Sequence, residues 1–429
     1  MSKPRVVHAE PTKDFFIYML VKDIPLNRAV LDLVDNCVDG ATGLRGRRPF
    51  TGLHVRMEVT PQRFRIRDNC GGIPVEVAEK YAFRFGRPPG AKALDGSVGQ
   101  FGVGMKRAFF KLGKRFVVES RAERDEFTVA EDVDKWCESP EWEFGFRKLK
   151  ENLPKRPQKE RGTTIEVTQL HEGVSEQFGL QNFRTRLREE IEVAHETSLG
   201  RGLEIALNGH VLQDRPRSLK QSADITPAFR ERRFGDVMVK LYVGISRFDP
   251  RNAGWNVYCN GRLVLEADQS RGTGWGEGPG LPRFHPQYNM FKGYAFFEAD
   301  DSSSLPWNTT KTGVDADSSI FRSARQEMLI MMAPVIRFLN RLDRARTAGE
   351  DWLLSAVEDA KEADLKRISD SETFGWPDKP KPPPPDTQRI SYDRPREQVN
   401  KVKKTLGLRS SREVGETTFD YFYGRECKD

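Results

Sequence analysis

Four polar side chains recur at three- and four-residue steps in the stretch IPLNRAVLDLVDNCVDGA, namely Asp32, Asp35, Asn36 and Asp39. This spacing places them on one face of a predicted helix, beside an apolar stripe. The amide oxygen of Asn36 suits a hard cation such as Mg²⁺, which prefers oxygen ligands. Asp32 lies one turn earlier, where it can accept a proton from an attacking water. The alternative is the solvated polar face of an ordinary amphipathic helix.

A second candidate element is the sequence RIRDNCGGIP, in which a predicted strand runs into a glycine-containing turn. Asp68 stands at the end of that strand, and Gly71 and Gly72 let the backbone approach a flat ligand closely. A carboxylate in this position can accept a hydrogen bond from the exocyclic amine of adenine. An ordinary Asn/Gly turn is the alternative for this stretch.

The third element is the glycine-rich run SVGQFGVGMKR, followed by the predicted helix MKRAFFKLG. Gly99, Gly102 and Gly104 are spaced so that backbone N–H groups can converge on an anion at the N-terminus of that helix. Lys106 adds a positive charge. The run has no strand directly before it and no G-K-[ST] sequence, which excludes the dinucleotide fingerprint and the Walker A loop.

The order of these three motifs, followed by RGTTIEV, resembles the GHKL ATPase superfamily. That superfamily includes gyrase, the heat-shock-ninety chaperones, sensor histidine kinases and MutL-type mismatch-repair ATPases. The resemblance covers about residues 15–170. Two positions depart from the family pattern: Asp32 stands where hydrolysing members have Glu, and Cys70 replaces a glycine. The matching positions are Asp32, Asn36, Asp39, Asp68, Gly72, Gly99, Gly102, Gly104, Gly162 and Thr163.

The resemblance implies ATP and Mg²⁺ as cofactors, Asp32 as the catalytic base, Asn36 as the metal ligand and Asp68 as the acceptor of the adenine amine. It also implies that residues 75–98 form a mobile lid over the nucleotide. The shorter side chain of Asp32 predicts slow hydrolysis, because misplacing a general base by about 1 Å costs roughly a hundredfold in rate. The other nucleotide-binding positions it implies are Asp39, Gly72, Gly99, Gln100, Phe101, Gly102, Val103, Gly104, Met105, Lys106 and Thr163.

Beyond the ATP-binding motifs, the strand patterns LEIALNG, VMVKLYVGIS, WNVYCNGRLVL and GYAFFEAD predict a second α+β domain. It resembles the transducer domain of gyrase-type and MutL-type ATPases, which has a ribosomal-protein-like fold. Lys311, in LPWNTTKTGVD, falls where that family's switch lysine reaches the γ-phosphate, which makes it a second catalytic candidate. A solvated loop lysine is the alternative.

The chain is therefore predicted to be α+β, with an N-terminal Bergerat α/β sandwich followed by the transducer-like domain. Its C-terminal tail resembles ribbon-helix-helix DNA-binding modules, and a plain helical tail for docking a protein partner or for oligomerisation is the alternative. The predicted parts are the ATP-binding domain at 1–170, the transducer-like domain at 171–315, a helical segment at 316–368, a proline-rich linker at 369–387 and the small helical tail at 388–429.

The composition limits the class of protein. The net charge is +7 with 31% charged residues, which permits nucleic-acid binding without indicating it. No apolar run approaches the roughly 20 residues that cross a bilayer, and the N-terminal sequence has no apolar signal core. Five scattered cysteines without metal-ligand spacing indicate a reducing compartment. A cytoplasmic protein without a membrane partner is expected.

Together these features predict a slow ATPase that acts as an ATP-gated homodimeric clamp or switch. DNA, and with it a role in prokaryotic genome or antiviral defence, is one predicted target, and MORC-like and chaperone-like ATPases are the nearest members by resemblance. Two alternatives stay open: a chaperone-like machine acting on protein clients, and a hydrolysis-poor scaffold that senses nucleotide.

Overall fold

The computed structural model describes residues 11–86, 98, 103–278, 280–308, 311–368, 371–378 and 386–427. The chain forms two units, Met1–Asp378 and Lys379–Asp429. The helices of the first unit are α1 (Lys13–Lys22), α2 (Leu26–Arg45), α3 (Val75–Val77), α4 (Gly104–Leu112), α5 (Val133–Glu138), α6 (Glu172–Gly179), α7 (Gln181–Ala194), α8 (Glu196–Gly200), α9 (Ser319–Ala348) and α10 (Asp351–Asp359).

Its strands are β1 (His54–Val59), β2 (Arg63–Asp68), β3 (Gly113–Arg121), β4 (Glu126–Asp132), β5 (Phe146–Lys150), β6 (Gly162–Leu170), β7 (Glu204–Leu207), β8 (His210–Val211), β9 (Ser218–Gln221), β10 (Ala228–Phe234), β11 (Val237–Ile245), β12 (Gly254–Cys259), β13 (Arg262–Asp268), β14 (Phe291–Glu298) and β15 (Lys361–Asp364).

An eight-stranded sheet in the order β5-β4-β3-β6-β2-β1-β7-β8 supports the candidate site. α2 and α4 contact each other, and each has one face in the same hydrophobic core as the sheet. In α2 the apolar stripe predicted from the sequence is buried, with Leu31 and Val34 no more than 1% exposed. Burial of that stripe fixes the rotation of α2, and with it the positions of the polar side chains.

The predicted strand LEIALNG is β7, but it does not belong to the second sheet as its grouping with the later strands predicted. It pairs in parallel with β1, Val55 standing opposite Ile205. The first sheet therefore continues past residue 171, where the second domain was expected to begin. The helical stretch between β6 and β7 supplies the long crossover that a parallel pair requires.

The second sheet has the order β10-β11-β14-β12-β13, with β12 parallel to β14. WNVYCNGRLVL forms the β12–β13 hairpin, and Asn260 and Gly261 at its turn both have positive φ, as a tight hairpin turn requires. The long helix α9 packs against this sheet. The two larger sheets and their segregated helices confirm the predicted α+β class, with a further α+β region after the N-terminal domain.

The segment predicted to be helical at 316–368 is only partly so. α9 and α10 form as expected, but Lys361–Asp364 is a short strand, β15, which pairs antiparallel with β9. Its sequence KEAD has no strand pattern, so pairing with an exposed edge decides its conformation. Among the described residues, no helix is long and apolar enough to cross a membrane.

The second unit contains two helices, α11 (Arg396–Leu406) and α12 (Ser411–Glu426). Gly407, with φ of 66°, ends α11 in the left-handed conformation that glycine favours. Ser410 and Glu413 form a reciprocal capping box at the start of α12. The described part of this unit is thus helical, and no strand precedes α11 within residues 386–395.

Candidate functional site

Asp32, the predicted general base, lies on the buried face of α2 and contacts α4. Its Oδ2 accepts a hydrogen bond from Arg107 Nη2 at 2.6 Å, and the two side chains are 8% and 12% exposed. A Cβ built on Gly104 would lie 3.3 Å from Asp32 Oδ2, so the carboxylate sits beside the first residue of α4. Asp32 is thus at a helix N-terminus, where anionic groups are stabilised.

Asp35, which sequence reasoning placed on the polar face without a role, is the centre of a buried charge cluster. Its Oδ2 accepts from Lys311 Nζ at 2.6 Å, and its Oδ1 lies 3.0 Å from Arg262 Nε and 3.3 Å from His195 Nε2. Asp35 is only 1% exposed. Burial alone would raise the pKa of Asp35, but Arg262, Lys311 and His195 together hold it well below its usual value.

The same burial acts on His195 in the opposite sense. Desolvation and the charge of Arg262 lower the pKa of His195 to about 3, so its ring is neutral at physiological pH. The cluster then contains one anion and two cations. It joins α2 to β13 and to the loop before α9, which makes it a direct electrostatic link between α2 and the second sheet.

Lys311, the predicted switch lysine, is not a solvated loop lysine. It is 7% exposed, and its side chain reaches α2. Its φ of 53° is unusual for a residue with a Cβ and costs backbone strain, which the ion pair with Asp35 offsets. The structure therefore brings Lys311 to the helix that carries Asp32 and Asn36, with its ammonium on Asp35.

Asp68 ends β2 and is almost fully buried. Its Oδ1 accepts from the Cys70 N–H at 2.7 Å and from the Thr163 N–H at 3.4 Å, while the Cys37 thiol lies 3.6 Å from Oδ2. Burial raises the pKa of Asp68 to about 6, against the lowering effect of these hydrogen bonds. Two predicted positions, Asp68 and Thr163, are thus joined directly.

Glycine at two of the matched positions is required by close backbone contacts. A Cβ on Gly162 would lie 2.0 Å from the Asp68 carbonyl oxygen, and a Cβ on Gly72 would lie 2.3 Å from the Arg121 carbonyl oxygen. Both glycines also have positive φ. Cys70, which replaces a family glycine, does not, so its Cβ is tolerated. These close approaches hold the end of β2 against β6 and the turn after it against the end of β3.

The glycine-rich run is described only in part, and Gly99, Gln100, Phe101 and Gly102 lie outside the described residues. Val103 precedes α4 without a side-chain hydrogen bond to its N-terminal N–H groups. Those groups suit an anion.

Two further predicted positions lie in the first turn of α4. Met105 is buried. Lys106 is 2% exposed and donates to the Ala82 carbonyl at 2.9 Å, and burial lowers its pKa to about 7.

The predicted lid is described at 75–86 and at residue 98 only, and positions 87–97 lie outside the described residues. Its first part is α3 followed by a single π-type turn, Ala78–Ala82. The Val98 N–H donates to Asp39 Oδ1 at 2.5 Å. Asp39 thus contacts the second residue of the glycine-rich run.

Asn36, the predicted Mg²⁺ ligand, is the exposed member of the α2 polar face, between the buried Asp35 and Cys37. Among the described residues, no group of three or more His, Cys, Asp and Glu side chains is arranged to hold a metal ion. A single amide ligand is compatible with Mg²⁺, because this ion keeps several waters and binds through substrate phosphates.

The structure thus brings α2, the end of β2, the start of β6 and the N-terminus of α4 to one place. A family model described as histidine kinase-, DNA gyrase B-, and HSP90-like ATPase matches residues 24–158. This match confirms the predicted superfamily for that region and supports ATP binding and hydrolysis there. It gives no support to the narrower likeness to MORC-like or chaperone-like members. No curated protein matches the chain.

Proposed function

We propose that the protein is a slow Mg²⁺-dependent ATPase that works as a switch, in which ATP binding is transmitted from α2 to the second sheet through Lys311. The observation that carries this proposal is the buried ion pair of Lys311 with Asp35. A lysine from the second part of the chain already lies on the nucleotide helix. Asp35, whose charge this lysine neutralises, is adjacent in sequence to Asn36, the candidate metal ligand.

The described residues fit an adenine nucleotide. Asp68 offers a buried acceptor oxygen, Oδ2, whose one hydrogen-bond partner among the described residues is the weak thiol donor of Cys37. The first turn of α4 offers N–H groups uncapped by a side chain. Mg²⁺ would be held by Asn36 and the phosphates, and the ion supplies charge neutralisation at the transferred phosphate. Asp68 and α4 would orient the two ends of the nucleotide.

Lys311 is proposed to exchange partners during the cycle. Without a triphosphate it neutralises Asp35, and with one it moves toward the terminal phosphate. An exchange of this kind changes the charge around Arg262 in β13, because Asp35 then has one cation fewer. The second sheet would respond to that change, which is how nucleotide state would reach the rest of the chain.

Slow hydrolysis follows from the surroundings of Asp32. Its Oδ2 is already bonded to Arg107, which leaves Oδ1 as the oxygen not engaged by that guanidinium. The side chain is also one methylene shorter than glutamate. Both features reduce the geometric fit of a general base. They favour the hydrolysis-poor nucleotide sensor as the second candidate function.

ATP-induced homodimerisation, clamping on DNA, genome defence and action on protein clients stay predictions from the sequence. Dimerisation is a property of the family to which residues 24–158 are similar. We propose it here as the output of the switch, with DNA as one target to be tested.

The experiment measures phosphate release and the sedimentation of the full chain with ATP and Mg²⁺, with and without duplex DNA. The wild type is expected to release phosphate slowly and to associate with ATP, while Asp32→Asn associates but releases at least tenfold less phosphate. Glu119→Gln, on β3 and outside the site, is the matched carboxylate control and should behave as wild type. Equal phosphate release by wild type and Asp32→Asn would remove Asp32 from the base role.

A further inference from the structure

The C-terminal hairpin, defined as residues 396–427, has a surface that its own fold leaves uncovered. Neither α11 nor α12 contains a buried residue. Several of its apolar side chains are about half exposed or more: Leu406 48%, Phe419 51%, Tyr421 65%, Phe422 59% and Tyr423 57%. Phe419, Phe422 and Tyr423, at three- and four-residue spacing, share one face of α12 and form an exposed aromatic cluster, in which Phe419 and Tyr423 stack with ring centroids 6.3 Å apart.

The backbone of this hairpin is nevertheless sharply specified. The Leu408 N–H donates to the Lys403 carbonyl at 3.0 Å, which closes the glycine cap of α11. Glu413 accepts from the Ser410 N–H at 2.9 Å, and Ser410 accepts from the Glu413 N–H at 3.1 Å. Two helices of this length without a core do not stay folded on helix propensity alone. Such a hairpin requires a partner surface.

The charges of the two helices indicate what the partner is. α11 is basic and α12 is acidic. In a dimer with a two-fold axis, α11 of each chain can lie beside α12 of the other chain. Both of these helix pairs then join a basic helix to an acidic one. The charged residues of α11 are Arg396, Glu397, Lys401, Lys403 and Lys404, and those of α12 are Arg412, Glu413, Glu416, Asp420, Arg425 and Glu426.

We infer that the C-terminal hairpin is a homodimerisation module, which pairs with a second copy of itself through Leu406 and the aromatic cluster of α12. Four helices then enclose the apolar side chains that one hairpin leaves exposed. This pairing goes beyond the proposed switch and does not require nucleotide. It holds two ATPase domains at a high effective concentration, so their association on binding ATP becomes an intramolecular step.

The test measures the mass of the full chain in solution without nucleotide, in reducing buffer because Cys427 is exposed. The wild type is expected at twice its 49.0 kDa chain mass and Phe422→Asp at one chain mass. Phe248→Asp is the matched control, since Phe248 is 58% exposed and lies in the first unit. It should remain dimeric. A monomeric wild type, or a dimeric Phe422→Asp, would overturn the inference.

Two variants with reversed charges test directly whether the partner is a second copy of the chain. This test does not depend on the folding of Phe422→Asp. One variant carries Arg396→Glu and Lys403→Glu in α11, and the other carries Glu416→Lys and Glu426→Lys in α12. Each alone places like charges across the two-fold axis and should dissociate at least tenfold more readily. Their equimolar mixture should recover the dimer. A mixture that stays monomeric would show that a second copy is not the partner.

Because no nucleotide is present, this result is independent of the switch. Failure of the hairpin to pair leaves ATP binding and the Lys311–Asp35 exchange untouched. Failure of the switch leaves the nucleotide-free dimer in place.

Discussion

Substitution of Asp35 by Asn tests whether the buried charge cluster joins α2 to the second sheet. Asp35 is 1% exposed, and its two cationic partners, Lys311 and Arg262, have side chains 9% and 2% exposed. Loss of the carboxylate charge leaves two buried cations without it, and breaking a buried pair in this way costs about 3–5 kcal/mol. Urea unfolding of the full chain, followed by tryptophan fluorescence, measures the loss.

The pH dependence of this loss has a definite sign. The folded state holds the pKa of Asp35 below the value of 3.8 usual for aspartate, so the carboxylate stabilises the fold fully above about pH 4. The stabilisation is lost only as the pH falls below that value. The difference between wild type and Asp35→Asn should therefore be constant from pH 5 to pH 8, and it should shrink in stronger acid.

A double substitution and a surface control complete the test. Asp35→Asn with Lys311→Met should be less destabilised than the sum of the two single variants, by about 2 kcal/mol, because it removes one of the stranded cations. Lys240→Met breaks the exposed pair of Lys240 with Glu298 and should cost at most about 1 kcal/mol. If the free energy of unfolding of Asp35→Asn is within about 1 kcal/mol of that of the wild type, the charge cluster does not stabilise the contact between α2 and the second sheet.

Three further predictions concern the nucleotide site. ATP affinity should fall roughly tenfold between pH 7 and pH 5, because Asp68, with its pKa of about 6, takes up a proton in this range. Asp68→Asn should bind ATP weakly at both pH values and should not show this additional fall. The variant therefore controls for titration of the nucleotide itself. If Lys106, with its pKa of about 7, moves to the phosphates, ATP binding at pH 8 should be accompanied by uptake of about one proton. Calorimetry in buffers of different ionisation enthalpy measures this uptake, and Lys106→Met should not show it. Gly162→Ala should destabilise the fold by about 2 kcal/mol or more, because its Cβ would lie 2.0 Å from a carbonyl oxygen. Gly145→Ala is the control: a Cβ there meets open space, so the free energy of unfolding should change by less than about 0.5 kcal/mol. Equal effects of the two substitutions would contradict the packing argument.

Local patterns predicted much of the fold. The apolar stripe of α2, the hairpin β1–β2 and the caps at Gly407 and Ser410 are set by residues close in sequence. The parallel pairing of β7 with β1 and the strand at Lys361–Asp364 were missed, because each depends on a distant edge rather than on its own sequence.

The contacts within the candidate site followed from the sequence only in part. The resemblance implied Asp68 and Thr163 as separate site positions, and the structure joins them by a hydrogen bond. The role of Asp35 had no local signal, since His195, Arg262 and Lys311 meet it only through the tertiary fold. Its position on the same helical face as Asp32 was the one available indication.

The measurement that tests the central claim most directly is the affinity of wild type and Lys311→Met for ATP·Mg²⁺ and ADP·Mg²⁺, by calorimetry on the full chain. If Lys311 moves from Asp35 to the terminal phosphate, wild type prefers ATP over ADP, and Lys311→Met loses about tenfold or more of that preference while its ADP affinity is retained. Retention of the full ATP preference by Lys311→Met would contradict the switch.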